Sequence, residues 1–392
     1  MNKTLNFVIL SLFTFSFFSC VSNNSIIKKS ANSDSSTNIV DEKNTDLQSI
    51  YKAGDIALSN IQFDGIVFEK TSEVYVTDPE GEIIIGNISK PNMDPNFCVG
   101  VFRNNRKIKL NSFIIGQYEV TQELYNAVMK NQKVYIEGKE YTLSDYPFSC
   151  MPRGAYLIAE GETQKYRPAE TITWYDAVFF CNALSEKTGL NKVYNINVKS
   201  VSKEENIHIT GADVSIIDNA NGYRLPTEAE WEFAARGGKL SKDSWDYLFS
   251  GVDKAINKYD IENSDIDSVG WYSFNLETGK TEKKASAGNE GYGTHEVGMK
   301  NPNSLGIYDM CGNVIEWCYD FYDQDASKGD KLVKKNGFVI NPKGVESGKY
   351  RVSRGGCFDS YSYNCFVSYR NNWWRPEIHN CYGGLRVVRN AN

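Results

Sequence analysis

Alternation of apolar and polar positions predicts short β-strands in the first third of the chain. Residues 65–68 and 74–76 alternate in this way, and residues 83–85 form an apolar run between two glycines. A longer stretch, residues 107–118, predicts a single strand. We therefore expect residues 50–100 to form a β region at the start of the folded domain.

Apolar residues at helical spacing predict three short helices, each of which begins after a threonine. Thr121, Thr173 and Thr227 precede these stretches, and a threonine hydroxyl can accept a hydrogen bond from a free amide of the first helical turn. Glu230 completes a capping box with Thr227, and Gly237 is placed to end that helix. Short helices agree with a chain that holds 31 glycines.

The remaining stretches predict a β excursion and long loops. Residues 190–221 have the pattern of strands, whereas residues 239–300 and 324–350 are polar and predict exposed loops. Together these patterns indicate an α+β fold that is rich in loops, with short helices and small antiparallel sheets.

The first twenty residues have the pattern of an export signal. Lys3 precedes an almost entirely apolar stretch, residues 5–18, which is too short to span a bilayer comfortably. Ser19 and Cys20 follow, and a small residue before a cysteine resembles the lipid-attachment site of bacterial lipoproteins. We expect Cys20 to carry the lipid; the alternative is an ordinary cleaved signal with a chance cysteine.

The chain therefore divides into three expected parts. Residues 1–19 are the signal, and residues 20–50, rich in Ser, Asn, Lys and Asp, are a flexible tether. Residues 51–392 are the folded domain.

Composition and charge exclude several functional classes. A net charge of −6 argues against a nucleic-acid partner, which requires a basic face. Three histidines leave little room for a histidine-based metal or acid–base site. The nine cysteines form no CxxC pairs, which argues against a zinc ribbon, and export would permit disulfides.

The last forty residues, which we call the C-terminal region, have no regular period. Residues 351–389 alternate like strands at both ends and mix tyrosine, tryptophan, asparagine and serine between them. Rigid rings with small polar side chains are typical of antibody contact surfaces. From the residues alone two interpretations stay open: a binding surface, or a loop-rich β end whose rings are core.

Acidic residues close to the C-terminal region suggest a cation site. Asp309 and Glu316, with main-chain carbonyls at Gly312 and Val314, offer an all-oxygen shell that suits Ca²⁺. The alternative is that Asn313 and Glu316 only bond neighbouring backbone amides.

Five ordered segments resemble the formylglycine-generating-enzyme/sulfatase-modifying-factor family. They are residues 118–121, 172–178, 222–232, 306–317, and 354–356 with 384–386. The resemblance covers roughly residues 105–390. It implies a decorated C-type-lectin-like fold, which agrees with the α+β pattern above.

The cysteine pair that the resemblance requires for activity is incomplete. Oxidising enzymes of the family bind copper with two cysteines shortly after Arg-Gly-Gly. Cys365 occupies the second position, but Ser360 stands at the first. One thiolate is a poor copper(I) site, so we expect no catalysis. The spacing also permits a disulfide between Cys357 and Cys365 without requiring one.

The C-terminal region also resembles the variable region of proteins diversified by retroelements, which use the same lectin-like fold. The fixed frame of such regions matches Arg354-Gly-Gly, Cys365, Arg370-Asn-Asn and Gly384-Leu-Arg386. Mutation at the adenines of Asn codons cannot yield Trp373, Trp374 or Glu377, which should be fixed. The resemblance implies a solvent-facing ligand-binding surface made of Asp359, Ser360, Tyr361, Tyr363, Asn364, Phe366, Tyr369, Asn371, Asn372, His379, Asn380, Cys381 and Tyr382.

These resemblances lead to one functional expectation and two alternatives. The combination with Cys20 resembles the surface-displayed variable lipoproteins of spirochaetes. We expect a monomer that is anchored by lipid to the outer membrane and binds a protein or cell-surface molecule. It should require no cofactor, and calcium is the one ion for which the sequence offers a site. The alternatives are an exported oxidase that converts protein cysteine to formylglycine, and an undiversified structural or adhesion lipoprotein.

Overall fold

A computed structural model describes residues 59–76, 84–85, 100–103, 106–150, 159–238, 245, 247–252, 264–272, 293–332, 334–372 and 374–391. All of them lie in Asp46–Asn392, the second of the two units into which the chain divides. The expected signal, the lipid site at Cys20 and the tether lie outside the described residues. Within the described residues, no helix has both the length and the apolar character needed to cross a membrane.

The regular elements are short. The α-helices are α1 (Gln122–Met129), α2 (Trp174–Lys187), α3 (Glu228–Ala235) and α4 (Ser264–Asp267). The strands are β1 (Gln62–Phe63), β2 (Ile66–Val67), β3 (Glu73–Val76), β4 (Ile84–Ile85), β5 (Lys107–Lys109), β6 (Phe113–Gly116), β7 (Lys133–Ile136), β8 (Lys139–Thr142), β9 (Tyr194–Val201), β10 (Ile209–Ile216), β11 (Gly270–Trp271), β12 (Cys311–Gly312), β13 (Ile315–Phe321), β14 (Lys334–Lys335), β15 (Phe338–Ile340), β16 (Arg351–Arg354), β17 (Gly383–Gly384) and β18 (Val388–Asn390). Short 3-10 helices lie at Gln164–Tyr166, Asp330–Leu332 and Ser362–Cys365.

Two three-stranded sheets organise the C-terminal region. In one, β6 lies between β3 and β18, so the end of the domain pairs with its beginning. In the other, β13 lies between β16, which runs antiparallel to it, and β17, which runs parallel. The other described sheets have two to four strands, among them the β9–β10 hairpin. The predicted α+β class with small sheets is confirmed.

The three predicted helices form, and their threonines cap them. The Thr121 hydroxyl accepts a hydrogen bond from the amide of Leu124 at 3.3 Å. Thr173 and Thr227 each form a capping box with the acidic residue three positions later. Gly237 follows α3 with a φ of 80°, a left-handed conformation that favours glycine. Local side-chain chemistry therefore fixes these helix ends.

Two predictions about regular structure are wrong. Residues 107–118 hold two strands, because β5 pairs with β4 and β15, whereas β6 pairs with β3 and β18. The chain changes sheet between them. Residues 239–300 are not uniformly exposed, since Leu248, Phe249 and Ile266 are buried in one apolar cluster with Cys365.

Three buried tryptophans mark the main core. Trp174 and Trp317 belong to the cluster around α1 and α2, and Trp231 belongs to the cluster around α3. None of the three has solvent-exposed area. Trp317 connects this core to the C-terminal region, because it lies on β13 and pairs in register with Ser353 of β16.

Candidate ligand-binding surface

The C-terminal region leaves and rejoins the domain on either side of β13. Arg354 is in register with Glu316 on one side, and Gly384 is in register with Glu316 on the other. After β16 the chain turns through Gly355 and Gly356, whose φ angles are 92° and 73°. A Cβ atom on Gly356 would lie 2.6 Å from the Cys365 sulfur. The close approach therefore requires glycine here.

Three buried arginines tie the region to the scaffold. Arg354 and Arg386 are fully buried, and Arg370 is 3% exposed. Each guanidinium forms an ion pair with a buried glutamate, and Arg370 and Arg386 do so with a nitrogen–oxygen distance of 2.7 Å or less. The partners are Glu232 for Arg354, Glu228 for Arg370 and Glu316 for Arg386. Buried charges are tolerated only when they are paired in this way.

The arginines also hold the main chain of the region. The Arg354 guanidinium donates to the carbonyls of Tyr369 and Val367, which lie inside the loop that it begins. Arg370 donates to the carbonyl of Asp323 at 2.8 Å. These contacts fix the course of the loop without using the side chains that point outward.

Helix α3 supplies two of the three acidic partners. All eight of its residues are buried, including three glutamates. Burial alone would raise the pKa of Glu228, but the neighbouring Arg370 and then Arg354 hold that pKa below its usual range. Glu230 pairs with Arg224, which lies outside the C-terminal region. The helix is therefore an anchor for guanidinium groups.

The most exposed predicted residues are two stacked tyrosines. Tyr361 and Tyr363 are each 39% exposed, and their ring centroids are 5.7 Å apart at an interplanar angle of 12°. Tyr369 contacts Tyr363 edge to face, with centroids 6.4 Å apart. These three rings form a continuous group, which we call the tyrosine cluster.

A second group surrounds Tyr382. Its ring lies 5.6 Å from that of the buried Phe358. Burial raises the pKa of Tyr382 to about 12, and the neighbouring Cys381 and Asp359 add to that shift. The main-chain amide of Tyr382 donates to the Asn380 side chain at 3.1 Å.

The remaining predicted residues have other neighbours. His379 lies against the β9–β10 hairpin, where it stacks on His208 and its Nε2 lies 3.1 Å from a Glu204 oxygen. Asn372 is hydrogen-bonded to Tyr322. Partly buried positions are Asp359, Ser360, Asn364, Tyr369, Asn372, His379, Asn380, Cys381 and Tyr382.

Two of the predicted surface residues are buried, which corrects that prediction. Phe366 is 4% exposed because its ring packs against Phe249, with centroids 5.1 Å apart. Asn371 is 9% exposed, and its main-chain amide donates a hydrogen bond to the carbonyl of Ser353 on β16. Both residues therefore support the loop from inside.

The residues expected to bind calcium have other partners. Glu316 accepts hydrogen bonds from Arg386 and, at 2.7 Å, from the Trp231 indole. One oxygen of Asp309 accepts from the Gly298 amide at 2.7 Å, and burial raises the pKa of Asp309 to about 6. The charge of Glu316 is thus already compensated by an arginine.

The main-chain amides at the other two positions also have partners. The Gly312 amide donates to the carbonyl of Gly355, and the Val314 amide donates to Glu119. Within the described residues, no group of three or more His, Cys, Asp or Glu side chains is placed to hold a metal ion. The predicted ligands at these two positions are carbonyl oxygens rather than amides, so the calcium site stays a prediction.

The thiols near the family's catalytic positions are buried. Cys365 is fully buried, and burial raises its pKa well above the usual range. Ser360 accepts a hydrogen bond from the Cys357 amide at 2.9 Å, and its oxygen lies 3.3 Å from the Cys357 sulfur. Cys357 and Cys365 are both free thiols. Burial keeps these thiols protonated, which lowers their reactivity.

Sequence reasoning missed two features of this region. Glu228 and Glu232 were not identified as anchors, although three glutamates at alternate positions of a helix with apolar neighbours could have indicated buried ion pairs. Cys150 was also missed. It lies in one apolar cluster with Cys357, and Cys381 packs against that cluster. No local pattern connects residues so far apart in the chain.

Comparisons with known proteins agree with the family resemblance. The family model of the sulfatase-modifying factor enzyme 1-like domain matches residues 68–391. The chain is 32% identical over 295 residues to chaperone protein LppX of Paenibacillus barcinonensis, covering 73% of this chain and 83% of that protein. It is 34% identical over 272 residues to the formylglycine-generating enzyme of Thermomonospora curvata, covering 68% and 76% respectively.

A solved structure is similar over most of the domain. Treponema denticola variable protein 1 superposes with a TM-score of 0.59 at 28% sequence identity, covering 85% of this chain and 98% of that chain. The predicted resemblance to both the enzymes and the variable proteins is confirmed. The chain therefore belongs to the family of the sulfatase-modifying factor enzyme 1-like domain, and it adopts the C-type-lectin-like fold of that family.

Proposed function

We propose that this protein is a surface-displayed lipoprotein that binds a ligand through its C-terminal region and does not catalyse a reaction. The proposal rests on a difference in burial among the side chains of residues 351–389. Arg354, Arg370 and Arg386 are buried and ion-paired to the scaffold, whereas Tyr361 and Tyr363 between them are exposed. Similarity to a variable protein supports the same role.

The exposed tyrosines suit a binding role energetically. A tyrosine ring offers a large contact area with few rotatable bonds, so ordering it on binding costs little entropy. The frame beneath the tyrosine cluster is held by charge-assisted hydrogen bonds, which limits the entropy lost by the main chain. A protein or another cell-surface molecule is the ligand that fits such a surface.

Binding can be tested with matched tyrosine variants. We expect the Tyr361→Ala, Tyr363→Ala double variant to lose at least about tenfold in affinity for any ligand found on an array of purified cell-surface proteins and glycans, since aromatic anchors dominate such interfaces. Tyr135→Ala is the control, because Tyr135 is 64% exposed on β7, outside the C-terminal region. Equal binding by both variants would refute the proposed site, and the absence of any ligand would count against a binding role.

Anchoring and diversification are separate parts of the proposal. We infer that Cys20 carries a lipid that holds the protein at the outer membrane; a fatty-acid label that enters the wild type but not Cys20→Ser would support this. Diversification predicts a near-copy of codons 351–389 in the adjacent DNA that differs only at adenines. If neither such a copy nor a reverse transcriptase is present, diversification is wrong, while ligand binding remains testable.

The rival function is oxidation of a protein cysteine, as the name of the Thermomonospora curvata relative implies for that enzyme. Ser360 in place of a cysteine and the buried Cys365 thiol argue against it. We expect no formylglycine when cysteine peptides and copper are incubated with the protein. A mass spectrum that shows formylglycine would overturn the non-catalytic proposal.

A further inference from the structure

Two cysteines far apart in the sequence meet beside the proposed binding surface. The Cys150 sulfur lies 3.7 Å from the carbonyl oxygen of Cys381, which is 231 residues later in the chain. Both residues contact the apolar cluster that includes Phe358 and Ile315. Contact with the Cys381 thiol, together with burial, raises the pKa of the Cys150 thiol. The Cys150 sulfur therefore lies directly beside residue 381.

The scaffold holds both residues at the same place. The Cys150 amide donates to the Glu170 carboxylate at 2.9 Å. Thr171 follows Glu170, and its main-chain amide donates to the carbonyl of Asn380 at 3.0 Å. Asn380 is the residue immediately before Cys381. Residues 170 and 171 thus fix the backbone on both sides of the thiol pair.

A third thiol nearby is engaged elsewhere. Cys357 lies in the same cluster, but its sulfur lies 3.3 Å from the Ser360 hydroxyl. Cys357 is buried, and burial raises its pKa to about 12. Cys381, by contrast, is partly exposed to solvent. Cys381 is therefore the thiol of this group that an oxidant in solution reaches most easily.

We propose that Cys150 and Cys381 form a disulfide that ties the C-terminal end of the binding surface to the scaffold. The oxidant is a small-molecule or protein disulfide. The Cys381 thiolate attacks one of its sulfurs, forms a mixed disulfide and releases one thiol. The Cys150 sulfur then attacks the Cys381 sulfur, the Cys150 proton passes to the departing thiolate, and the second thiol is released. Two cysteines are oxidised, and one external disulfide is reduced to two thiols.

The cross-link would rigidify the segment that carries Tyr382 and His379. It would close a loop of 231 residues, and long loops lose the most unfolded-state entropy when they are closed. The bond itself does not depend on the proposed binding function. If that function holds, related chains with another residue at position 381 would lack the cross-link.

Peptide mapping of the full chain tests the proposal without a ligand. After incubation with glutathione disulfide, we expect a peptide pair linked through Cys150 and Cys381, with a mass about 2 Da below the sum of the two reduced peptides. The oxidised protein should melt about 5 °C above the protein treated with a reductant.

Three variants distinguish this pair from its neighbours. Cys381→Ser and Cys150→Ser should abolish the linked peptide and the difference in melting temperature. Cys357→Ser should retain both, and Cys381→Ser remains informative if the buried Cys150→Ser fails to fold. A linked peptide from Cys357 with either Cys365 or Cys381, or unreacted Cys150 and Cys381 thiols after oxidation, would overturn the proposal.

Discussion

Replacing Arg386 with alanine is expected to lower the free energy of unfolding by about 3–5 kcal/mol at pH 8. Arg386 is fully buried and donates to Glu316, and its charge also offsets those of Glu119 and Asp309. Removing it leaves three buried carboxylates near one another. Chemical unfolding monitored by tryptophan fluorescence measures the loss.

The loss should shrink as the pH falls. Burial, followed by Asp309, raises the pKa of Glu119 well above its usual range, and burial raises that of Asp309 to about 6; Arg386 opposes both shifts. Without Arg386 these folded-state pKa values rise further. A carboxyl with a raised folded pKa favours folding below its unfolded pKa, and this contribution is lost as the pH rises through the folded pKa. The deficit should therefore be largest at pH 8 and clearly smaller at pH 5.

A surface ion pair supplies the control for this experiment. Lys133 and Glu140 are 2.6 Å apart, and their side chains are more than two-fifths exposed. Lys133→Ala should leave the unfolding midpoint unchanged at both pH values, because water and salt screen such pairs. An Arg386→Ala deficit that is small, or equal at pH 5 and pH 8, would show that these carboxylates do not depend on the arginine.

Local chemistry explains which parts of the fold could be predicted from the sequence. The helices after Thr121, Thr173 and Thr227 were predicted because their caps and apolar stripes lie within a few residues of one another. The division of residues 107–118 into β5 and β6 was not. It depends on which distant strands pair with each half, and the residues themselves do not encode that choice locally.

The same limit applies to the proposed binding surface. Tyr361 and Phe366 have similar sequence surroundings, yet one is exposed and the other is covered by Phe249 from a loop more than a hundred residues earlier. Composition predicts a surface rich in rings, but tertiary packing decides which rings face outward. The pairing of Cys150 with Cys381 is an extreme case, since no sequence period links them.

Trp317→Ala is expected to cost about 3–5 kcal/mol of unfolding free energy. Trp317 is fully buried on β13, and its indole nitrogen donates to the carbonyl of Ile172 at 3.2 Å. Its ring also contacts that of Trp374, with centroids 5.2 Å apart. Truncation would leave a cavity and an unsatisfied carbonyl beneath the C-terminal region. Thermal and chemical unfolding both measure the effect.

Tyr361→Ala and Tyr382→Ala are the matched substitutions on the proposed binding surface. We expect each to change the free energy of unfolding by roughly 0.5 kcal/mol or less, because exposed and partly exposed side chains contribute little to folding. The contrast follows from burial, because Trp317 is fully buried whereas Tyr361 is 39% exposed. Comparable losses for Trp317→Ala and Tyr361→Ala would mean that the tyrosine cluster is part of the core, and a surface of interchangeable side chains would then be excluded.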